Sequence, residues 1–160
     1  MKRTGAGTST DLKSTRAGKA EKYKPVPIPD ELTETFWESI NQRRLVIQRC
    51  QNCRTYYHPP VGLCPECLST ELTYEPVSGR GTINSFTITY DARQPAFEAI
   101  QPYTVAIVEL VEQKGLFMLS NVPGTPADEI RIGLAVVVDF EEIVPGRLIP
   151  QFRAARSTRQ

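Results

Sequence analysis

Cys50-Gln51-Asn52-Cys53 and, after ten intervening residues, Cys64-Pro65-Glu66-Cys67 form the stretch that decides how this 160-residue sequence is read. A two-residue gap lets a knuckle turn aim both thiolates at one ion, and two facing knuckles complete a tetrahedron. These four are all the cysteines in the chain. Two disulfides would demand an oxidising compartment, and a redox dithiol motif predicts one pair inside an α/β fold rather than two pairs facing across a ribbon. The spacing therefore predicts a zinc ribbon over residues 48–71 that binds Zn2+, with iron in a rubredoxin-like site as the rival ion. Four thiolates close the coordination sphere, so the metal is expected to be structural. Binding on the order of 10 kcal/mol would let a ribbon of about 25 residues stand without its own core. The one histidine, His58, lies in the ribbon loop beside Pro59 and Pro60, and the complete thiolate set argues against it as a ligand.

On the C-terminal side the pattern turns to strands. Residues 72–77, 81–90, 103–111, 116–122 and 134–140 are β-branched or aromatic runs broken by Gly, Pro, Asp and Asn. Five strands within about 75 residues predict a small β barrel of OB type over 72–152, with 153–160 as a C-terminal tail. In the second run Phe86, Ile88 and Tyr90 fall on one face and Ser85, Thr87 and Thr89 on the other, which is read as the outward face. The loop over 91–102 is long for a hairpin and carries Arg93, Pro95, Phe97 and Pro102, and long ordered loops on small barrels often carry function.

On the N-terminal side, Asp30 opens a predicted helix over 31–44, with acidic residues in its first turn and Arg43 and Arg44 in its last. Leu32, Phe36 and Ile40 recur every four residues with Trp37 beside them, so Phe36 and Trp37 are expected to dock the helix on a core or a partner. Leu45, Val46 and Ile47 continue as a short strand, which makes 30–47 a docking helix and strand. Residues 1–29 read as a disordered basic tail and proline-rich linker. Their seven basic and two acidic side chains give a net of +5, so the whole-chain +1 leaves −4 on residues 30–160.

That division bears on function. Phosphate neutralisation supplies most nucleic-acid affinity and requires a basic folded surface; here the folded part is acidic, and the outward face of the second strand offers no aromatic residue for base stacking. A single-stranded nucleic-acid module is thus the alternative reading, disfavoured by charge. Independent catalysis fares worse: there is no Gly-rich phosphate loop, no Gly-x-Ser-x-Gly, and no free cysteine once the metal is bound. No run approaches the 18 apolar residues of a membrane span, and the N-terminus lacks the apolar core of a signal peptide, so the sequence predicts a cytoplasmic protein without membrane association.

The order of these features resembles the DUF35 family, in which a rubredoxin-like zinc ribbon precedes an OB fold. The resemblance covers residues 36–152 and rests on Phe36-Trp37, the two cysteine pairs, Ser78-Gly79-Arg80-Gly81-Thr82, Pro102-Tyr103 and Ile149-Pro150-Gln151-Phe152. It implies a non-catalytic accessory subunit of a thiolase-fold enzyme of acyl-CoA metabolism (a thiolase, acyl-CoA synthase or aldolase), with the partner supplying the nucleophile and the small subunit organising the complex and helping to form the acyl-CoA site. On that implication, Arg80 and Arg93 are candidates for CoA phosphate and Phe97 for adenine or acyl contact. The basic tail is not part of the family pattern.

Overall fold

A computed structural model describes residues 24–155 of the chain. The disordered tail expected for residues 1–29 therefore falls largely outside the described residues, as does the end of the expected C-terminal tail. Ten elements follow one another: α1 (Glu34–Asn41), β1 (Val46–Cys50), β2 (Tyr56–Tyr57), β3 (Leu72–Pro76), β4 (Arg80–Thr89), α2 (Pro95–Glu98), β5 (Tyr103–Leu110), β6 (Phe117–Asn121), β7 (Ala135–Val144) and β8 (Arg147–Ala154). The chain is mainly β, as the sequence predicts. No helix among the described residues is long and apolar enough to cross a membrane.

The start of the helical segment is set by Asp30. Its carboxylate accepts from the Thr33 amide (2.9 Å) and hydroxyl (2.6 Å), while Thr33 Oγ1 accepts from the Asp30 amide (3.0 Å). This reciprocal cap holds a turn over 31–33, and the α-helix proper begins only at Glu34. Leu32 consequently lies outside the helix and is exposed, unlike Phe36 and Ile40, which are buried. At the other end Arg43 takes a left-handed conformation (φ 57°). Its amide donates to Ile40 C=O and that of Arg44 to Ser39 C=O, a Schellman closure made without glycine. The helix is thus shorter than the predicted 31–44 at both ends.

Two antiparallel sheets follow. The ribbon sheet has the order β2-β1-β3, and the barrel sheet the order β6-β5-β4-β7-β8; the run over 72–77, expected as the first barrel strand, is therefore a ribbon strand, because it pairs with β1 over Val46–Cys50. The barrel order is OB topology, in which the first barrel strand lies centrally and the third and fifth approach each other. Here β6 and β8 meet through side chains rather than a ladder: Gln151 Oε1 accepts from the Asn121 amide (2.9 Å) and Ser120 Oγ (3.1 Å), and the Phe152 amide donates to Ser120 Oγ (3.0 Å). Strand β8 escapes the sequence reading because Pro150 interrupts its pattern; it is an edge strand, where proline is tolerated.

The Ser78–Thr82 segment has a steric basis. Gly79 has φ +69° and a Cβ there would overlap the Val138 side chain, while a Cβ on Gly81 would sit 2.6 Å from Glu109 O. Both glycines let β4 pass close between β5 and β7. Beyond Thr82, β4 leaves β7 and carries a bulge between Ile83 and Ser85.

One core joins the modules. Ile40 from α1 and Ile47 from β1 are fully buried in the same cluster as Ile83, Val108, Val136 and Phe152 of the barrel. Each such side chain contributes about 1.5–3 kcal/mol on burial, so the helix plugs the barrel rather than resting on it. Residues preceding α1 lie along the same surface: Lys24 pairs with Glu141 (2.7 Å), Arg147 Nη2 donates to Pro27 O (2.7 Å), and the Tyr74 hydroxyl donates to Leu32 O (2.6 Å).

Candidate metal centre and adjoining cleft

The two cysteine knuckles repeat one local geometry. Cys50 O accepts from the Arg54 amide (3.0 Å) and Cys64 O from the Leu68 amide (2.9 Å); the Cys50 amide donates to Thr55 O and the Cys64 amide to Ser69 O. Arg54 (φ 65°) and Leu68 (φ 58°) both adopt the left-handed conformation that ends each knuckle. A left-handed leucine is sterically costly, and repetition of the same turn at both cysteine pairs ties it to positioning sulfur.

The four Sγ atoms lie within 4.8 Å of one another. Cys50–Cys67 is 3.6 Å, while Cys53–Cys64 and Cys64–Cys67 are each 3.5 Å. Disulfide sulfurs stand about 2.05 Å apart, whereas metal–sulfur bonds of about 2.3 Å give a tetrahedron edge near 3.8 Å. The donor set therefore fits a tetrahedral ion, which the four thiols together could hold. Burial alone would raise the Cys64 thiol, but the Tyr57 hydroxyl at 3.0 Å, the amides of Cys67 and Glu66 and the Cys53 thiol bring it down to about 6. Cys53 is lowered too, first by the Thr55 side chain and then by its amide. Cys67 goes the other way: against the lowering contact of Asn52 and the Ser69 amide, burial and the Cys64 and Cys50 thiols raise it, so it is at Cys53 and Cys64 that the surroundings favour thiolate, the form that binds metal.

The ribbon is held to its surroundings by amides that the sequence does not single out. Buried Gln48 donates to Val61 O (3.0 Å) and accepts from the Val61 amide (2.8 Å), which sets the loop carrying His58. Gln113, in the turn between β5 and β6, makes the same two-way contact with Tyr56.

That arrangement opens a cleft of about 470 Å³ between α1, the ribbon loop and the barrel. Phe36 and Trp37 pack edge to face (5.0 Å, 82°), His58 lies 5.6 Å from Phe36, and Phe97 lies 5.5 Å from Tyr103. Burial lowers the His58 pKa, so the imidazole is neutral at neutral pH. A second cavity of about 400 Å³ shares Tyr103, Asn121 and Gln151 as a wall and is bounded by Lys24 and Glu141.

The structure brings some of the predicted residues together and separates others. Phe36 and Trp37, expected to dock, and Phe97, expected to contact ligand, line the same cleft. Arg93 is exposed in the loop before α2, and Arg80 is exposed at the opposite end of β4, about 30 Å away along a strand of that length. Neither arginine lines either cavity. Four residues of the site were not anticipated as such: His58, Gln48, Tyr103 and Gln151. Tyr103 and Gln151 lie in the Pro102-Tyr103 and Ile149–Phe152 segments, the signal that pointed nearest to them.

One expectation about β4 needs correction. Phe86 shares a face with buried Ala106, as alternation predicts, yet it is 37% exposed, and Tyr90 is 71% exposed. The cause is that β7 covers β4 only through Thr82, so the inner face beyond it is open. The Ser85, Thr87 and Thr89 face carries no aromatic residue from β4 itself, but Tyr103 of β5 lies opposite Thr89 and Phe117 of β6 shares the face, so the sheet does present aromatic side chains there.

Comparison with known proteins places this geometry. Residues 37–73 match the family described as "ChsH2, rubredoxin-like zinc ribbon domain" and residues 74–141 that described as "ChsH2, C-terminal OB-fold domain". The probable enoyl-CoA hydratase alpha subunit of Thermomonospora curvata is 39% identical over 137 residues, 86% of this chain and 42% of that protein. The chain thus spans about two-fifths of that relative's length. The DUF35 domain-containing scaffold protein of Methanocaldococcus jannaschii is 31% identical over 71% of this chain and 80% of its own. Among solved structures, a chain of the "Ltp2-ChsH2(DUF35) aldolase" is similar with TM-score 0.74 and 39% identity, covering 81% of this chain and 99% of that one. With ribbon and barrel both matched, and a scaffold protein aligned over most of its length, this chain belongs to the DUF35 family.

Proposed function

We propose that the chain is a non-catalytic, zinc-binding accessory subunit of an acyl-CoA enzyme with a thiolase-fold catalytic partner, acting in the cytoplasm, where four reduced thiols persist. The observation that carries the reading is the cleft in which Phe36 and Trp37 of α1 meet Phe97 of the 91–102 loop. It is apolar, bordered by the rigid ribbon and barrel, and suited to docking. All four thiols are committed to metal, which removes the cysteine nucleophiles that acyl transfer uses. Homology supports the reading, since the relatives named above are a hydratase subunit, a scaffold protein and a component of an aldolase. Within such a complex the subunit organises the assembly and helps to form the acyl-CoA site, with Phe97 as its candidate contact and Arg80 and Arg93 available to phosphate groups. Zinc is favoured over iron because a closed tetrathiolate ribbon asks only for structural support, which a redox-inert ion supplies.

The test is purification with and without a thiolase-fold partner. The chain alone is expected to hold one zinc and to leave acyl-CoA thioesters unchanged, and activity is expected only from the pair. Turnover of acyl-CoA by the isolated chain would overturn the proposal.

A further inference from the structure

The barrel sheet has two edges, and they are finished differently. On β8 the outward positions are Leu148, Pro150, Phe152 and, at the strand's last residue, Ala154, and the first three are finished. The Leu148 amide donates to Asn41 Oδ1 (3.0 Å), Pro150 has no N–H, and the Phe152 amide donates to Ser120 Oγ (3.0 Å). That edge holds no free donor at Leu148, Pro150 or Phe152. On β6 the direction of each main-chain group follows from two bonds. The Leu110 amide donates to Leu116 O (2.9 Å), so Leu116, Met118 and Ser120 face β5 in the ladder. Phe117, Leu119 and Asn121 then direct their N–H and C=O away from β5, and the Asn121 amide does so, donating to Gln151. No other described residue bonds the main-chain groups of Phe117 or Leu119 on this side.

This edge lacks the devices that normally blunt one. Phe117-Met118-Leu119-Ser120-Asn121 contains no charge and no proline, and Leu119 is 71% exposed with Phe117 and Ile107 beside it. The edge also borders the cleft, whose lining has no charged side chain apart from neutral His58, in a chain that is 23% charged. An occupant must match that absence of charge and satisfy an edge whose donors and acceptors alternate at strand spacing. An acyl chain meets the first requirement only, whereas an extended peptide meets both.

We infer that β6 is a strand-addition site, at which an uncharged extended segment of a partner polypeptide pairs with Phe117–Leu119, Asn121 being already bonded to Gln151 and Ser120, and turns alternate side chains into the cleft beside Trp37 and His58. The accessory-subunit reading enters only in saying that the partner subunit supplies the strand, so the site and that reading can fail separately.

The experiment uses the full, metal-loaded, 15N-labelled chain, titrated with the capped peptide acetyl-Val-Thr-Val-Thr-Val-amide and with its backbone N-methylated twin. At saturation, exchange of the Phe117 and Leu119 amide protons is expected to slow by about tenfold or more, with no effect from the twin. Leu119→Lys is expected to weaken peptide binding about tenfold while keeping metal content and fold, because Leu119 is exposed, and Thr87→Lys on the neighbouring face is expected to leave binding unchanged. Peptide binding that leaves both amides unprotected overturns the inference, as does failure to bind at millimolar concentration. Protection that rises with protein concentration without peptide assigns the edge to a second copy, and decanoate binding in place of peptide assigns the cleft to a small apolar molecule; either result also overturns it.

Discussion

Replacing Gln151 with leucine tests how this barrel closes. The Gln151 side chain is 3% exposed and makes three hydrogen bonds: it accepts from the Asn121 amide and Ser120 Oγ and donates to Glu141 Oε2 (3.1 Å). Leucine has similar volume, so the change removes polar partners without opening a large cavity. Ser120 Oγ keeps an acceptor in Asn121 O (2.6 Å) and the Phe152 amide keeps Ser120, but the Asn121 amide loses its only partner across the seam. An unsatisfied buried donor costs about 1–3 kcal/mol, and a lost hydrogen bond about 0.5–1.5 kcal/mol more, or somewhat above that to a charged acceptor. A destabilisation of about 2–4 kcal/mol is therefore expected, read as a lower urea midpoint with an unchanged slope in metal-loaded protein. Hydrogen exchange at Asn121 and Phe152 should rise together, since both amides bond across the seam. A Gln151→Leu protein within about 0.5 kcal/mol of wild type, the range of ordinary surface changes, would refute the view that this side chain closes the barrel.

Further outcomes follow from the same geometry. Cys64→Ser, or chelation of the intact chain, is expected to lower metal content below one ion per chain and to melt the ribbon at a lower temperature than the barrel, seen by metal analysis and amide exchange. Gly81→Ala forces a Cβ against Glu109 O and should cost about 1–3 kcal/mol by overpacking, measured in urea. Phe152→Ala empties the centre of the shared core and should cost about 3–5 kcal/mol, with α1 amides losing protection alongside those of the barrel. Glu75 is held down at about 2 by Gln51 and Arg49 foremost, with Arg54 adding its charge. Its stabilising contribution is therefore fully present above the unfolded carboxylate value of 4.5 and is lost as the pH falls toward 2. The stability gap between wild type and Glu75→Gln should accordingly close across that window.

Much of the fold is legible because its determinants are local. Two-residue gaps between cysteines dictate knuckles whatever surrounds them, and β-branched or aromatic runs gave four of the five barrel strands or their cores, the run over 72–77 being a strand of the ribbon sheet instead. Where the reading stopped short, a distant residue was deciding. Leu32 sits at helical spacing, yet the Asp30–Thr33 cap delays the helix past it. Pro150 breaks the pattern of β8, which pairing with β7 over Glu142–Val138 restores. Phe86 is on the predicted face but loses its cover because β7 leaves β4 after Thr82. For the site, the convergence of the four cysteines was readable from spacing, whereas the meeting of Phe36, His58, Phe97 and Gln151 was not, because 115 positions of chain separate the first from the last.

By itself, then, the sequence determined a metal ribbon, a small β barrel and a docking helix, since each depends on side-chain type repeating over a few neighbouring residues. Tertiary structure alone decided that the helix plugs the barrel, that Gln151 rather than a ladder closes it, and that β6 keeps an open edge beside an uncharged cleft. Those outcomes depend on which strands reach one another and where their pairing ends, which is fixed by packing between segments remote in the chain.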